Sequence, residues 1–174
     1  YGWGSNSSNV LGTSTDSRIV DTPTLLEITD VKKNVLSFSR IASSGNHTLA
    51  VTSDGVVYGW GENGSGELGS DSSRLRNPSK VSSSGDEVFT SGNFSAVLDS
   101  DDLYMSGSNS SGQQGNGSTK SVYSFSKLLK SGVTGVDGYL HSRFLLPLMQ
   151  LRPDLQLKVS TCVEDARMMK TPEE

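Results

Sequence analysis

From His47 to Thr52 the residues alternate so that Leu49 and Val51 fall on one face of an extended chain, as in a half-buried strand. Asp54-Gly55 follows, a hairpin signal that predicts positive φ at both turn residues, and Val56 to Trp60 returns as the partner strand. Asn63-Gly64 and Gly66 supply a second tight turn before Leu68 re-enters the core. The same reading places further strands at Thr24 to Ile28, Leu36 to Ala42, Ser79 to Ser82, Glu87 to Ser91, Val122 to Leu129 and Val133 to Asp137. Asp101-Asp102 is a poorer hairpin former than Asp54-Gly55 and predicts a looser corner. Twelve short strands in three groups of four make an all-β chain.

The elements recur because the sequence does. Tyr1-Gly2-Trp3-Gly4-Ser5-Asn6 leads to Leu11-Gly12. Tyr58-Gly59-Trp60-Gly61-Glu62-Asn63 leads to Leu68-Gly69, and Tyr104-Met105-Ser106-Gly107-Ser108-Asn109 leads to Gln114-Gly115. A second phrase precedes two of these copies: Ile41 to Val51, containing Ser44-Gly45-Asn46-His47, is answered by Val88 to Leu98, containing Ser91-Gly92-Asn93-Phe94. A weaker version spans Val136 to Leu146, where Gly138 and His141 take the places of Ser44 and His47. Recurrence at long, unequal spacing is the signature of stacked units whose loops vary.

One copy, Gly59-Trp60-Gly61-Glu62-Asn63-Gly64, also fits the phosphate-cradling pattern G-x-G-x-x-G. That loop occurs once in a dinucleotide domain and opens a helix. Here the glycines recur with the units and no amphipathic helix follows, so Gly2, Gly4, Gly55, Gly59, Gly61 and Gly69 are read as turn and packing residues, and no cofactor is expected.

The two phrases resemble repeats of the regulator of chromosome condensation family, a seven-bladed β-propeller. Residues 41–69 carry the resemblance almost throughout, with Ser44 and Glu67 as departures. Residues 1–12 match the second half of a unit, 88–115 match with losses at Phe94 and Met105-Ser106, and 136–146 match a first half only. The resemblance implies a partial propeller of about three four-stranded antiparallel blades, drawn at about 1–52, 56–98 and 103–146, with the ring incomplete. It also implies a fragment of a longer protein whose outer blades bare apolar faces. Residues 147–174 lack the hairpin and the Tyr-x-Trp-Gly strand, and are expected to be a poorly packed tail or extension.

Composition removes several functions. Hydrophobic residues are 33% of the 174, the formal net charge is −4, and no Lys/Arg run exceeds Lys32-Lys33, so neither a nucleic-acid footprint nor a membrane span is expected. Cys162 stands alone, which excludes an intramolecular disulfide and suits an intracellular compartment, cytoplasm or nucleus. His47 and His141 are read as framework residues bonded to a neighbouring blade's backbone, because Phe94 at the third equivalent position leaves a metal pair without purpose. Trp3 and Trp60 are read as blade packing. Asp99, Asp101 and Asp102 lack calcium-loop spacing. Asn6, Asn46, Asn63, Asn93, Asn109 and Asn116 sit in Asn-x-Ser/Thr sequons, as any Asn/Ser-rich turn composition generates, and no glycosylation is inferred.

No catalytic set stands out, and no enzyme activity is expected. The expected function is binding of another protein through propeller loops, with connectors Thr13–Pro23, Ser70–Pro78 and Gly115–Ser121 as candidate surfaces. The resemblance also implies an alternative, guanine-nucleotide exchange on a Ran-like small GTPase. An obligate homo-oligomer is not expected.

Overall fold

The structure, a computed structural model, describes residues 1–13, 17–129, 133–141 and 144–151. These contain twelve strands and no helix: β1 (Gly2–Ser5), β2 (Ile19–Thr24), β3 (Phe38–Ser44), β4 (His47–Thr52), β5 (Val57–Glu62), β6 (Arg74–Ser82), β7 (Glu87–Ser91), β8 (Phe94–Asp99), β9 (Asp102–Gly107), β10 (Val122–Leu129), β11 (Val133–His141) and β12 (Phe144–Leu151). All pairings are antiparallel. Two complete four-stranded meanders, β3-β4-β5-β6 and β7-β8-β9-β10, are flanked by the pairs β1-β2 and β11-β12. Three blades' worth of strands are thus present, and the ring is not closed.

The sheets pack as a fan. β7 lies beside β3 and β4 of the preceding sheet, and β11 lies beside β7 and β8. Strand alternation feeds both interfaces. Phe94, Ala96 and Leu98 on β8 join Leu103, Met105 and Val133 on one side. Val97 turns the other way and joins Leu49, Val51, Val57 and Leu68, with Tyr104 and Phe125 packed against them. A sheet interior that meets a neighbour on both faces is buried on both, which is why β4 and almost all of β8 are buried along their length.

Several expectations shift. The strand bounds for β7 and β10 agree with the sequence reading, but the strand placed at 24–28 runs instead from Ile19 to Thr24, pairing Thr24 with Gly2 and Ile19 with Ser5. The sheets span 38–82 and 87–129, whereas the units drawn from the sequence were 1–52, 56–98 and 103–146. Recurrence fixes a period but not its phase, and the Asp54-Gly55 turn near a drawn boundary lies inside a sheet. Only Gly55 has positive φ there (82°); Gly55 N–H donates to the Thr52 carbonyl at 3.0 Å, closing a three-residue loop. The corner expected to be loose is closed by Ser100 at φ 59°, with Asp99 paired to Asp102. Residues 74–78 of one proposed connector lie within β6 and residues 19–23 of another within β2, so both connectors are shorter than the sequence suggests. Pro78 stands on an outer edge strand, where a missing N–H costs no ladder bond.

The tail also changes. β12 runs through Pro147 to Leu151 and pairs with β11, so the first five residues assigned to the tail belong to a hairpin; residues 152–174 lie outside the described residues. Within that hairpin His141 ends β11 opposite Phe144, as Ser44 stands opposite His47 and Ser91 opposite Phe94. His141 therefore occupies the position of Ser44, and Phe144 that of His47. Gly138, expected at the position of Ser44 where β3 ends, is mid-strand opposite Pro147. The weak third phrase, lacking Gly-Asn, gave no anchor for the register.

Candidate functional site

The repeated phrase does its work at the corners where one unit meets the next. Trp60 is fully buried, and its indole Nε1–H donates to the Val10 carbonyl at 2.7 Å. Thr48 Oγ1 donates to the same oxygen at 2.8 Å. Both donors belong to β4 and β5, and the acceptor belongs to the loop after β1, so the bonds tie one sheet to the unit before it. Gly12 lies against the Trp60 ring, close enough that a Cβ there would sit 2.8 Å from it. In the next unit Ser106 replaces the tryptophan, and its hydroxyl donates to the Gly66 carbonyl at 2.6 Å in the preceding loop. The side chain changes while a donor to the previous unit remains.

Trp3 differs from the reading as a packing residue: it is 60% exposed, beside Tyr1 at 82%. Trp60 owes its burial to a preceding loop, and among the described residues no loop covers Trp3 in that way. Gly2 is closely approached by Leu11 and Leu26, Gly59 by Leu49, Leu68 and Val81, and Gly69 by the Phe125 ring. Asp54 is on the exposed turn and Tyr58 packs edge-on against Phe38, with centroids 6.3 Å apart.

His47 links successive sheets. Its Nε2 lies 2.8 Å from Ser95 Oγ on β8, and its Nδ1 lies 3.0 Å from Ser44 Oγ on β3. These hydroxyls stand beside the neighbouring-backbone bond that the sequence reading expects, which is made to Phe94. Burial without a counter-charge pushes the imidazole pKa down to about 4, partly opposed by a hydrogen bond to the Phe94 backbone. The unfolded chain takes up this proton near pH 6.5 and the native state only near 4, so the native state binds fewer protons between those values. Stability is therefore complete above pH 6.5 and falls as pH drops toward 4, by about 3 kcal/mol from this group. Urea unfolding across that range should show the decline, and His47→Gln should flatten it.

Three buried asparagines do more than the sequence reading assigns them, which is a turn position for Asn63 and sequons alone for Asn6 and Asn109. Asn6, Asn63 and Asn109 accept the backbone N–H of Leu11, Leu68 and Gln114 at 3.1, 2.7 and 2.9 Å. Their amides donate back to Ser17, to Ser70 and Ser72, and to Ser118 and Lys120. Each staples its own loop. Their equal offset within the three phrases was the signal available in the sequence.

Among the described residues no group of three His, Cys, Asp or Glu side chains could hold a metal ion. The cleft between the turns at 43–46 and 90–92 is lined by Ser, Thr, Gly and Asn alone. What the fold leaves open are the connectors, above all the one from β2 to β3.

Comparison with known proteins agrees with this architecture. The family model described as Regulator of chromosome condensation (RCC1) repeat matches residues 1–51 and 54–98, and a second of the same description matches 38–67. The chain is 34% identical to Protein RCC2 homolog of Xenopus laevis over a 124-residue alignment covering 68% of this chain and 23% of that protein. It is 36% identical over 69 residues to the probable E3 ubiquitin-protein ligase HERC4 of Homo sapiens, covering 38% of this chain and 6% of that one. Prp20p of Saccharomyces cerevisiae, a structure described with its binding to Gsp1p and histones, superposes with TM-score 0.62 at 19% identity over 74% of this chain and 33% of its own. Human WBSCR16 superposes with TM-score 0.59 at 20% identity, over 89% and 46%. At these identities the solved structures show the fold. The chain spans about a quarter or less of the curated relatives it matches.

Proposed function

The chain belongs to the regulator of chromosome condensation (RCC1) repeat family, and on that footing we propose that it is a non-catalytic interaction module, recognising another protein through loops that the propeller frame holds in place. One observation carries this reading. Where a unit has a neighbour on each side, the polar and aromatic members of the repeated phrase are committed to joining units or closing loops: Trp60 and Thr48 on Val10, His47 on Ser95, Asn63 on Leu68. The variable connectors remain for recognition. The Prp20p structures, described with Kap60, with Gsp1p and with histones, support a protein as the partner and the nucleus as the compartment in which to seek it.

Crosslinking of the chain to captured partners, read by mass spectrometry, tests the reading. Crosslinks concentrated on the connectors, with no acceleration of labelled GDP release from a panel of small GTPases, are expected. Accelerated release would replace the reading with nucleotide exchange. Crosslinks confined to strand faces would remove the loops from it.

A further inference from the structure

The connection from β2 to β3 spans thirteen residues, 25–37, where the equivalent connections from β6 to β7 and β10 to β11 span four and three. The extra length is ordered by its own hydrogen bonds. Thr29 bridges to Val35, Leu36 N–H donates to the Ile28 carbonyl at 2.8 Å, and Asp30 N–H donates to the Asn34 carbonyl at 3.0 Å. Asp30 Oδ1 accepts the backbone N–H groups of Lys32 and Asn34 at 2.8 and 2.9 Å, while Oδ2 accepts the Asn34 side-chain amide at 2.9 Å. Those bonds, the Asn34 amide foremost, hold the Asp30 carboxyl below its usual range. Lys33, at φ 68°, completes the turn. Residues 28–36 thus form a clamped miniature hairpin, anchored where Leu26 packs on Gly2.

Its surface sets apolar and basic side chains side by side. Leu25, Val31 and Val35 are 73%, 65% and 66% exposed. Lys32 and Lys33, the sole adjacent basic pair in a chain of net charge −4, stand exposed at the tip. Folding does not call for this element, since other units make the same crossing in three or four residues. Pre-ordering lowers the entropy cost of docking, and apolar side chains beside lysines complement a surface that sets carboxylates beside apolar groups. A phosphate backbone would instead favour a denser basic array without the valines.

We propose that the hairpin Ile28–Leu36 is a docking element whose occupant is a protein segment carrying Asp or Glu next to apolar residues. The proposal rests on the interaction-module reading and narrows it to one loop.

The test is fluorescence anisotropy with three labelled probes: a short peptide alternating Glu and Leu, its Lys/Leu counterpart, and duplex DNA. The Glu/Leu peptide should bind the wild-type chain and weaken as salt is raised. Binding should weaken about tenfold in Lys32→Glu/Lys33→Glu and again in Val31→Ser/Val35→Ser. It should disappear when residues 28–36 are replaced by Ser-Gly, a closure that the adjacency of Ile28 and Leu36 allows, with thermal unfolding unchanged. No binding of the Glu/Leu peptide, or preference for the Lys/Leu peptide or DNA, overturns the proposal. Undiminished binding by the shortened variant also overturns it, while leaving the interaction-module reading standing.

Discussion

Gly61→Ala is expected to unfold the chain, or to lower its stability by more than about 3 kcal/mol, while Gly4→Ala, the same position in the first phrase, costs only about 1–2 kcal/mol. All three equivalent glycines hold nearly the same left-handed backbone, φ 102°, 107° and 108° at Gly4, Gly61 and Gly107. Every one would therefore suffer dihedral strain. What separates them is the neighbouring strand. A Cβ at Gly61 would sit 2.5 Å from the Asn46 carbonyl oxygen and 2.7 Å from the His47 Cα, and both are backbone. β4 cannot retreat, because it is buried on both faces. At Gly107 the added carbon meets the Asn93 oxygen at 2.5 Å; at Gly4 it meets nothing within 4 Å. Urea midpoints for Gly4→Ala, Gly61→Ala and Gly107→Ala would show the order. Equal small losses would mean that the close approach of β4 and β5 is not real.

Asn63→Ala should cost on the order of 3–5 kcal/mol, from backbone groups left without partners. The side chain is 2% exposed, and it satisfies the Leu68 N–H and the carbonyls of Ser70 and Ser72 at once. Alanine removes all three bonds and admits no obvious replacement. Leu68, whose N–H would be orphaned, is fully buried in the core between the two complete sheets, so loop and core should fail together. Asn63→Asp should also be destabilising, because it keeps the acceptor for Leu68 but turns a buried carboxylate oxygen toward the Ser70 and Ser72 carbonyls. A thermal-shift series over Ala, Asp and wild type would check this; a loss for alanine below about 1 kcal/mol would mean that the loop is held otherwise.

Much of this architecture was legible because its causes are local. Alternation and turn residues located β7 and β10, and the thrice-repeated phrase announced stacked units. What was not legible depended on partners distant in sequence. Nothing in residues 1–12 tells that Trp3 is exposed where Trp60 is buried. The asparagines could be read as sequons because their bonding partners lie in loops without pattern. His141 took the place of His47 by counting residues, but hairpin register is set by the turn, and pairing His141 with Phe144 moves it to the position of Ser44. The hairpin at 28–36 was hidden for a related reason. Its order comes from the Asp30 carboxylate, and a polar residue's choice of backbone partner leaves no periodic trace.

The account stands on one relation, that side chains of the repeated phrase bind unit to unit. A double-mutant cycle across the sheet boundary measures it most directly, with His47→Phe, the residue found at the equivalent position 94, and Ser95→Ala. Each substitution removes one side of the 2.8 Å contact between β4 and β8. At pH 7 the two losses should be coupled by about 1 kcal/mol, the double variant losing less than the sum of the single ones. Strict additivity would contradict the account, because His47 and Ser95 would then act on their own sheets and not on each other.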